Sequence, residues 1–310
     1  MVQKDIAKYL GASTLRKVFA KKYLDASILK RVFPPRPKSS HKGDFGYTMV
    51  LAGSEEYAGA AVLNAVAAQR GGTDAVFLVA PRRAADIGVA FSPSLIGIPL
   101  SGKQFLPRHV KKALQYSGRV DCVCVGSGMG KSAATCKALL EFMRRVCKPL
   151  VVDADAIRAL EGLPLINKRT MVAGNVVTPH ADEFWSLTGE KLGKSLKERM
   201  EKVKHWAQLL GCTILLKGAV DVISDGRRTA LNKVHSPLMA VGGTGDLLAG
   251  LCAGILAQGN SPFDSACAAA YLNGLAGTIA AKGMRSGLKA EDLLKVYDDA
   301  LKSAQLTWKE

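Results

Sequence analysis

The run Val241-Gly242-Gly243-Thr244-Gly245-Asp246 stands directly ahead of an apolar stretch. Its three glycines let consecutive backbone N–H groups turn into one concavity, and a helix starting there adds partial positive charge. Gly243, Thr244 and Gly245 are thus a candidate anion hole. Asp246 at its mouth could take a proton from a hydroxyl while the hole stabilises phosphate charge developing beside it. A second glycine loop, Val125-Gly126-Ser127-Gly128-Met129-Gly130, would let a ligand lie against the backbone. It matches the dinucleotide fingerprint only loosely, because the final two-residue gap is missing.

Further candidates sit where strands are expected to end. Asp153, in Asp153-Ala154-Asp155, would project into a cleft as a contact for a ligand or a metal-bound water. Asp155 reads as a helix N-cap. In Thr178-Pro179-His180-Ala181-Asp182-Glu183, His180 and Glu183 fall on one helical face. The imidazole suits a polar ligand and the carboxylate a magnesium-bound water. Lys217 could meet a phosphate as a point charge, with Gly218 admitting the backbone. Tyr57-Ala58-Gly59-Ala60 opens the first helix of the domain.

These side chains need a scaffold that gathers them. Strands are expected at 47–51, 75–79, 120–125, 150–152, 175–177 and 213–216. Helices are expected at 59–70, 132–146, 196–210, 245–257, 262–280 and 291–304. Segments 220–224 and 228–231 read as a hairpin across Asp225-Gly226. Continuous apolar strands alternating with helices predict an α/β fold with a mainly parallel sheet covered on both faces. In such sheets ligands bind beyond the carboxyl ends of the strands, where the candidate loops fall. Residues 1–40 read as a basic leader, helical over 1–30, with a Pro-rich linker, and 41–310 as one domain.

Composition excludes other classes. The chain has 310 residues, 48% hydrophobic, with no apolar run long enough for a bilayer, so no membrane partner is expected. The N-terminus lacks a secretory signal pattern, and seven cysteines without metal-like spacing read as buried reduced thiols. A cytoplasmic location follows. Of the net charge of +17, residues 1–43 carry eleven Lys/Arg against two Asp, so the body is only mildly basic. No basic stripe interleaved with aromatics is present, so no nucleic-acid partner is expected.

Taken together, HKGDFGYTMVLAGSEEYAGAAVLNAVAAQRGG, VGSGMG, PLVVDADAI, VVTPHADEF, LLKGAVDVI and VGGTGDLLAGLCAGILAQGNSPFDSACAAAYLNGLAG resemble the ADP/ATP-dependent NAD(P)H-hydrate dehydratases. The likeness runs from about residue 24 to the C-terminus. It implies a ribokinase-like three-layer sandwich that repairs the S form of hydrated NADH or NADPH (NADHX, NADPHX). ADP or ATP, with Mg²⁺, would phosphorylate the ring hydroxyl, and loss of phosphate would restore the double bond, giving AMP from ADP. The resemblance places Ala60, Gly128, His180 and Asp246 on the hydrated dinucleotide, with Asp246 as base. It places Lys217, Gly218, Ala219, Val220, Asp221 and Gly245 on the adenine nucleotide, and Mg²⁺ near Glu183 through water.

The family's usual Pro-Gly between His and Glu is Ala181-Asp182 here, and Val234–Met239 replaces a segment that is often Gly-rich. ADP is the expected co-substrate ahead of ATP. A homo-oligomer is implied, and a separate epimerase would act in the same pathway. A small-molecule kinase of the ribokinase superfamily is the alternative enzyme, although such kinases tend to carry Asn where His180 stands. A non-catalytic nucleotide binder would not need Asp246.

Overall fold

The computed structural model describes residues 23–304. Nine strands form one sheet: β1 (Tyr47–Leu51), β2 (Ala75–Pro81), β3 (Ile96–Leu100), β4 (Cys122–Val125), β5 (Leu150–Val152), β6 (Val176–Val177), β7 (Thr213–Leu216), β8 (Asp221–Ser224) and β9 (Thr229–Asn232). Their order is β3-β2-β1-β4-β5-β6-β7-β8-β9. Pairing is parallel from β3 through β7 and antiparallel over β7-β8-β9.

Successive strand residues face opposite sides of a sheet. Val50, Cys124, Val151 and Val176 point to one core, while Leu51, Val125, Val152 and Val177 point to the other. Both faces are therefore apolar, and helices cover both. On the first face lie α1 (Ser27–Val32), α2 (Ala58–Arg70), α3 (Arg82–Phe91), α10 (Thr244–Ala257), α11 (Pro262–Ala280) and α12 (Ala290–Ser303). Opposite them are α4 (Pro107–Ser117), α5 (Ala133–Arg145), α6 (Ala154–Arg158), α7 (Leu165–Val172), α8 (Ala181–Thr188) and α9 (Leu196–Leu210).

Helix α10 carries Asp246 in its first turn, and its length from Leu247 to Ala257 is buried. A helix apolar on every side must be enclosed. It lies against Ala-rich α2 so closely that a Cβ on Gly250 would stand 2.1 Å from the Asn64 carbonyl oxygen. Small side chains on both helices permit that approach, which brings the start of α10 beside the first turns of α2. Beyond it, Tyr297 on α12 donates to Asn273 Oδ1 at 2.7 Å, and Asn273 Nδ2 donates to the Thr244 carbonyl at 3.3 Å.

Several sequence expectations change. The strand β3, with α3 and α4 around it, went unread because Gly97 and Pro99 interrupt its pattern. An edge strand tolerates that proline, since one side of its ladder is unpaired. The hairpin turn spans four residues, 225–228, and Asp225 Oδ1 accepts the N–H groups of Arg227 and Arg228. Most of the helix expected over 1–30 lies outside the described residues. The described end of the supposed leader packs on the domain: Ile28, Leu29 and Val32 are buried, and Leu24 N–H donates to the Leu231 carbonyl at 2.8 Å. Five cysteines are buried, but Cys136 is half-buried and Cys147 exposed. Among the described residues no helix is long and apolar enough to cross a membrane.

Candidate active site

The flagged loops meet at the carboxyl ends of β4 to β7 and the first turn of α10. Asp153 follows β5 and is 2% exposed. Thr178 Oγ1 donates to its Oδ1 at 2.7 Å, and Ser127 Oγ donates to its Oδ2 at 3.1 Å. Lys217, following β7, places Nζ 2.9 Å from Asp153 Oδ1 and 3.5 Å from Glu183 Oε2. Burial works against the Lys217 charge, but Asp153, Glu183 and Asp246 outweigh it and raise its pKa. The ammonium is therefore a fixed cation. Lys217 N–H also donates to the Pro179 carbonyl at 2.8 Å, tying the β6 and β7 loops together.

Asp153, not Asp155, is the N-cap of α6. Its carboxylate caps nothing, being turned into the cluster, while Asp155 Oδ2 accepts the Gly130 N–H at 2.8 Å. Between them Ala154 has φ 47°, a left-handed conformation costly for a residue with a Cβ.

His180 is the N-cap of α8, with Nδ1 accepting from the N–H groups of Asp182 and Glu183. Nε2 lies 3.2 Å from Glu183 Oε1 and 3.5 Å from Arg158 Nη2. Glu183 closes the capping box by accepting the His180 N–H at 2.9 Å. Both ring nitrogens thus have protein partners, while the His180 side chain stays 39% exposed.

Gly243 has φ 94° and opens α10, with Asp246 in its first turn. Burial and the nearby Asp153 push the Asp246 carboxyl up to about 7, with Lys217 and Ser127 pulling the other way. A carboxyl at that value can accept a proton near neutral pH. A cavity of about 560 Å³ opens beside it, lined by Lys217, Gly218, Ala219, Asp221, Thr244 and Gly245, with Val234–Met239 segment residues and α11 on its far side. Val220 packs toward the core instead. On the other side, a Cβ on Gly128 would stand 2.8 Å from the Ala60 Cβ, so that loop rests on the N-terminal turn of α2.

No three His, Cys, Asp or Glu side chains among the described residues form a metal-ligand group. Asp153 is committed to Lys217, Thr178 and Ser127, and Glu183 to Lys217, His180 and Arg158. This donor set does not fit a divalent cation held by the protein itself.

A family model described as NAD(P)H-hydrate dehydratase matches residues 48–298. The chain belongs to this family. It is 40% identical over 276 residues to the ADP-dependent (S)-NAD(P)H-hydrate dehydratase of Cenarchaeum symbiosum, covering 87% of this chain and 93% of the relative. It is 43% identical over 263 residues to the bifunctional NAD(P)H-hydrate repair enzyme of Pyrobaculum aerophilum, covering 84% of this chain but 51% of that protein. The chain thus spans about half the length of such bifunctional relatives. The Bacillus subtilis ADP/ATP-dependent NAD(P)H-hydrate dehydratase, co-crystallised with ATP/Mg²⁺, superposes with TM-score 0.76 at 24% identity over 91% of this chain and 98% of that one. This last likeness establishes the ribokinase-like fold.

Sequence reasoning passed over Asn64 and Arg158, and quoted Ser127 and Thr178 without a role. Ser127 lay inside a flagged loop. Asn64 carried a readable signal as a polar residue within an otherwise Ala-rich helix.

Proposed function

We propose that this chain dehydrates the S form of NADHX and NADPHX in a nucleotide-dependent repair reaction, with ADP as the preferred co-substrate. The observation that carries the reading is the placement of Asp246. It directly follows Gly245, which lines the cavity with Lys217, Gly218, Ala219 and Asp221, and its charge is coupled to Lys217 and to Ser127, the neighbour of Gly128 in the loop that rests on Ala60.

In this scheme the adenine nucleotide occupies the cavity, with its phosphates toward Lys217 and the N–H groups at the start of α10. The hydrated nicotinamide lies toward Ala60, Gly128 and His180. Asp246 accepts the ring hydroxyl proton as that oxygen attacks the terminal phosphorus. The bond to the bridging oxygen breaks and AMP leaves from ADP. Hydroxide is a poor leaving group and phosphate a good one, so departure of phosphate with loss of a ring proton restores the double bond. The anion hole serves both the transfer and the departing charge.

Magnesium belongs, in this reading, to the nucleotide phosphates, with Glu183 and Asp153 orienting Lys217 rather than binding metal. Val220 shapes its loop from behind. A cytoplasmic homo-oligomer, with an epimerase acting in the same pathway, completes the reading. The relative of Cenarchaeum symbiosum is named ADP-dependent, which supports ADP over ATP.

The test mixes purified enzyme, hydrate of verified S configuration, Mg²⁺ and either nucleotide. A nucleotide-dependent rise in reduced-nicotinamide absorbance, larger with ADP, is expected. No rise with either nucleotide sinks the dehydratase reading, and phosphorylation of a small alcohol would then favour the kinase alternative.

A further inference from the structure

Close to the candidate base lies a buried polar chain. Ser127 and Asn64 are both fully buried. Asn64 Nδ2 donates to Ser127 Oγ at 2.9 Å, while Asn64 Oδ1 has no partner among the described residues. With a donor already on its oxygen, the Ser127 hydroxyl has carboxylates left as acceptors for its own proton. It gives that proton to Asp153 Oδ2 at 3.1 Å. The same hydroxyl also acts on Asp246, where its side-chain hydrogen bonding draws the carboxyl pKa down. One O–H therefore stands between the carboxylate that anchors Lys217 and the carboxylate that takes the substrate proton.

We propose that Ser127 is a positioning residue for the transfer step: aimed by Asn64, its hydroxyl holds Asp153 on Lys217 and turns toward Asp246 when that carboxylate is charged. The inference rests on the functional reading above for its kinetic arm. The groups facing Asp246 are Asp153 after β5, Glu183 on α8 and Lys217 after β7. Cys124 on β4 neighbours Asp153 and Asn64. Asp153 and Glu183 oppose a negative charge on Asp246, whereas Lys217 and the Ser127 hydroxyl favour it. Removing the hydroxyl leaves Asp246 more often protonated at neutral pH, and so a weaker base.

The experiment uses Ser127→Ala and Asn64→Leu in the full chain. For Ser127→Ala, kcat should fall by about tenfold at pH 7 and recover toward pH 9, with nucleotide KM changed less than about threefold. Asn64→Leu should act in the same direction and more weakly, so misfolding of one variant leaves the other to decide. A second arm needs no turnover: melting temperature followed from pH 5 to pH 9 without substrate. In Ser127→Ala its alkaline fall should extend to higher pH than in the parent. An unmoved pH profile together with a melting curve parallel to the parent's would reduce Ser127 to packing and overturn the proposal. If the parent does not turn over the hydrate, the functional reading fails, and the melting curves still decide the role of Ser127.

Discussion

Lys217 Nζ lies 2.9 Å from Asp153 Oδ1, joining the ends of β7 and β5 by a buried ion pair. The contact turns a lysine of flexible reach into a fixed cation at the edge of the cavity. Lys217→Met should therefore raise nucleotide KM by about tenfold, and more than it lowers kcat. It should also lower the melting temperature, because it strands the Asp153 carboxylate without its cation. Steady-state kinetics over a nucleotide series checks this, and a kcat loss exceeding the KM gain would move Lys217 to the chemistry.

The proton affinity of Asp246 sets a pH dependence of stability. Below the ordinary value of 3.8, folded and unfolded states are both protonated. Between 3.8 and about 7 only the folded state keeps the proton, so stability falls as pH rises, and the full penalty is present above about 7. Asp246→Asn removes that penalty. It should raise the melting temperature by several degrees at pH 8 and by much less at pH 5. Equal shifts at both pH values would contradict the assignment.

The same group should shape the rate. In the proposed mechanism Asp246 is the free enzyme's base and must be ionised, so kcat/KM should rise with pH along a limb centred at about 7. Nucleotide phosphates titrate in the same region, so the control is Asp246→Asn. Its residual rate should keep only the nucleotide's own profile.

Ala154 offers a stability test away from the chemistry. Its φ of 47° suits glycine, and Ala154→Gly keeps the turn that aims Asp153 into the cluster. The variant should be more stable by about 0.5–1 kcal/mol in denaturant titration, with activity preserved. A loss of stability would show that the Ala154 methyl contributes more by packing than it costs in backbone strain.

The strands from β4 to β7 and the helices α5, α9, α10, α11 and α12 were legible because their apolar runs are continuous and their turns carry Gly, Pro or Asp, whereas α7 went unread. The edge strand β3 was not, because Gly97 and Pro99 break its pattern where an edge position forgives them. That these residues belong to one cluster was legible too: Asp153, His180, Glu183, Lys217 and Asp246 all converge. Their pairing was not. Asn64, Ser127 and Asp153 are separated by 63 and 26 positions, and only the close crossing of α2 and α10 with the strand ends brings them together. Spacing alone cannot reveal that Lys217 pairs with both Asp153 and Glu183.

The central claim is that Asp246 is the base of a nucleotide-dependent dehydration. The most direct measurement compares the parent chain with Asp246→Asn on S-configured NADHX with ADP and Mg²⁺, following reduced-nicotinamide absorbance and ADP affinity by calorimetry. The account predicts a kcat lower by about 10²–10⁴ in the variant, with ADP affinity little changed. A kcat near that of the parent would remove Asp246 from the mechanism and with it the reading of the site.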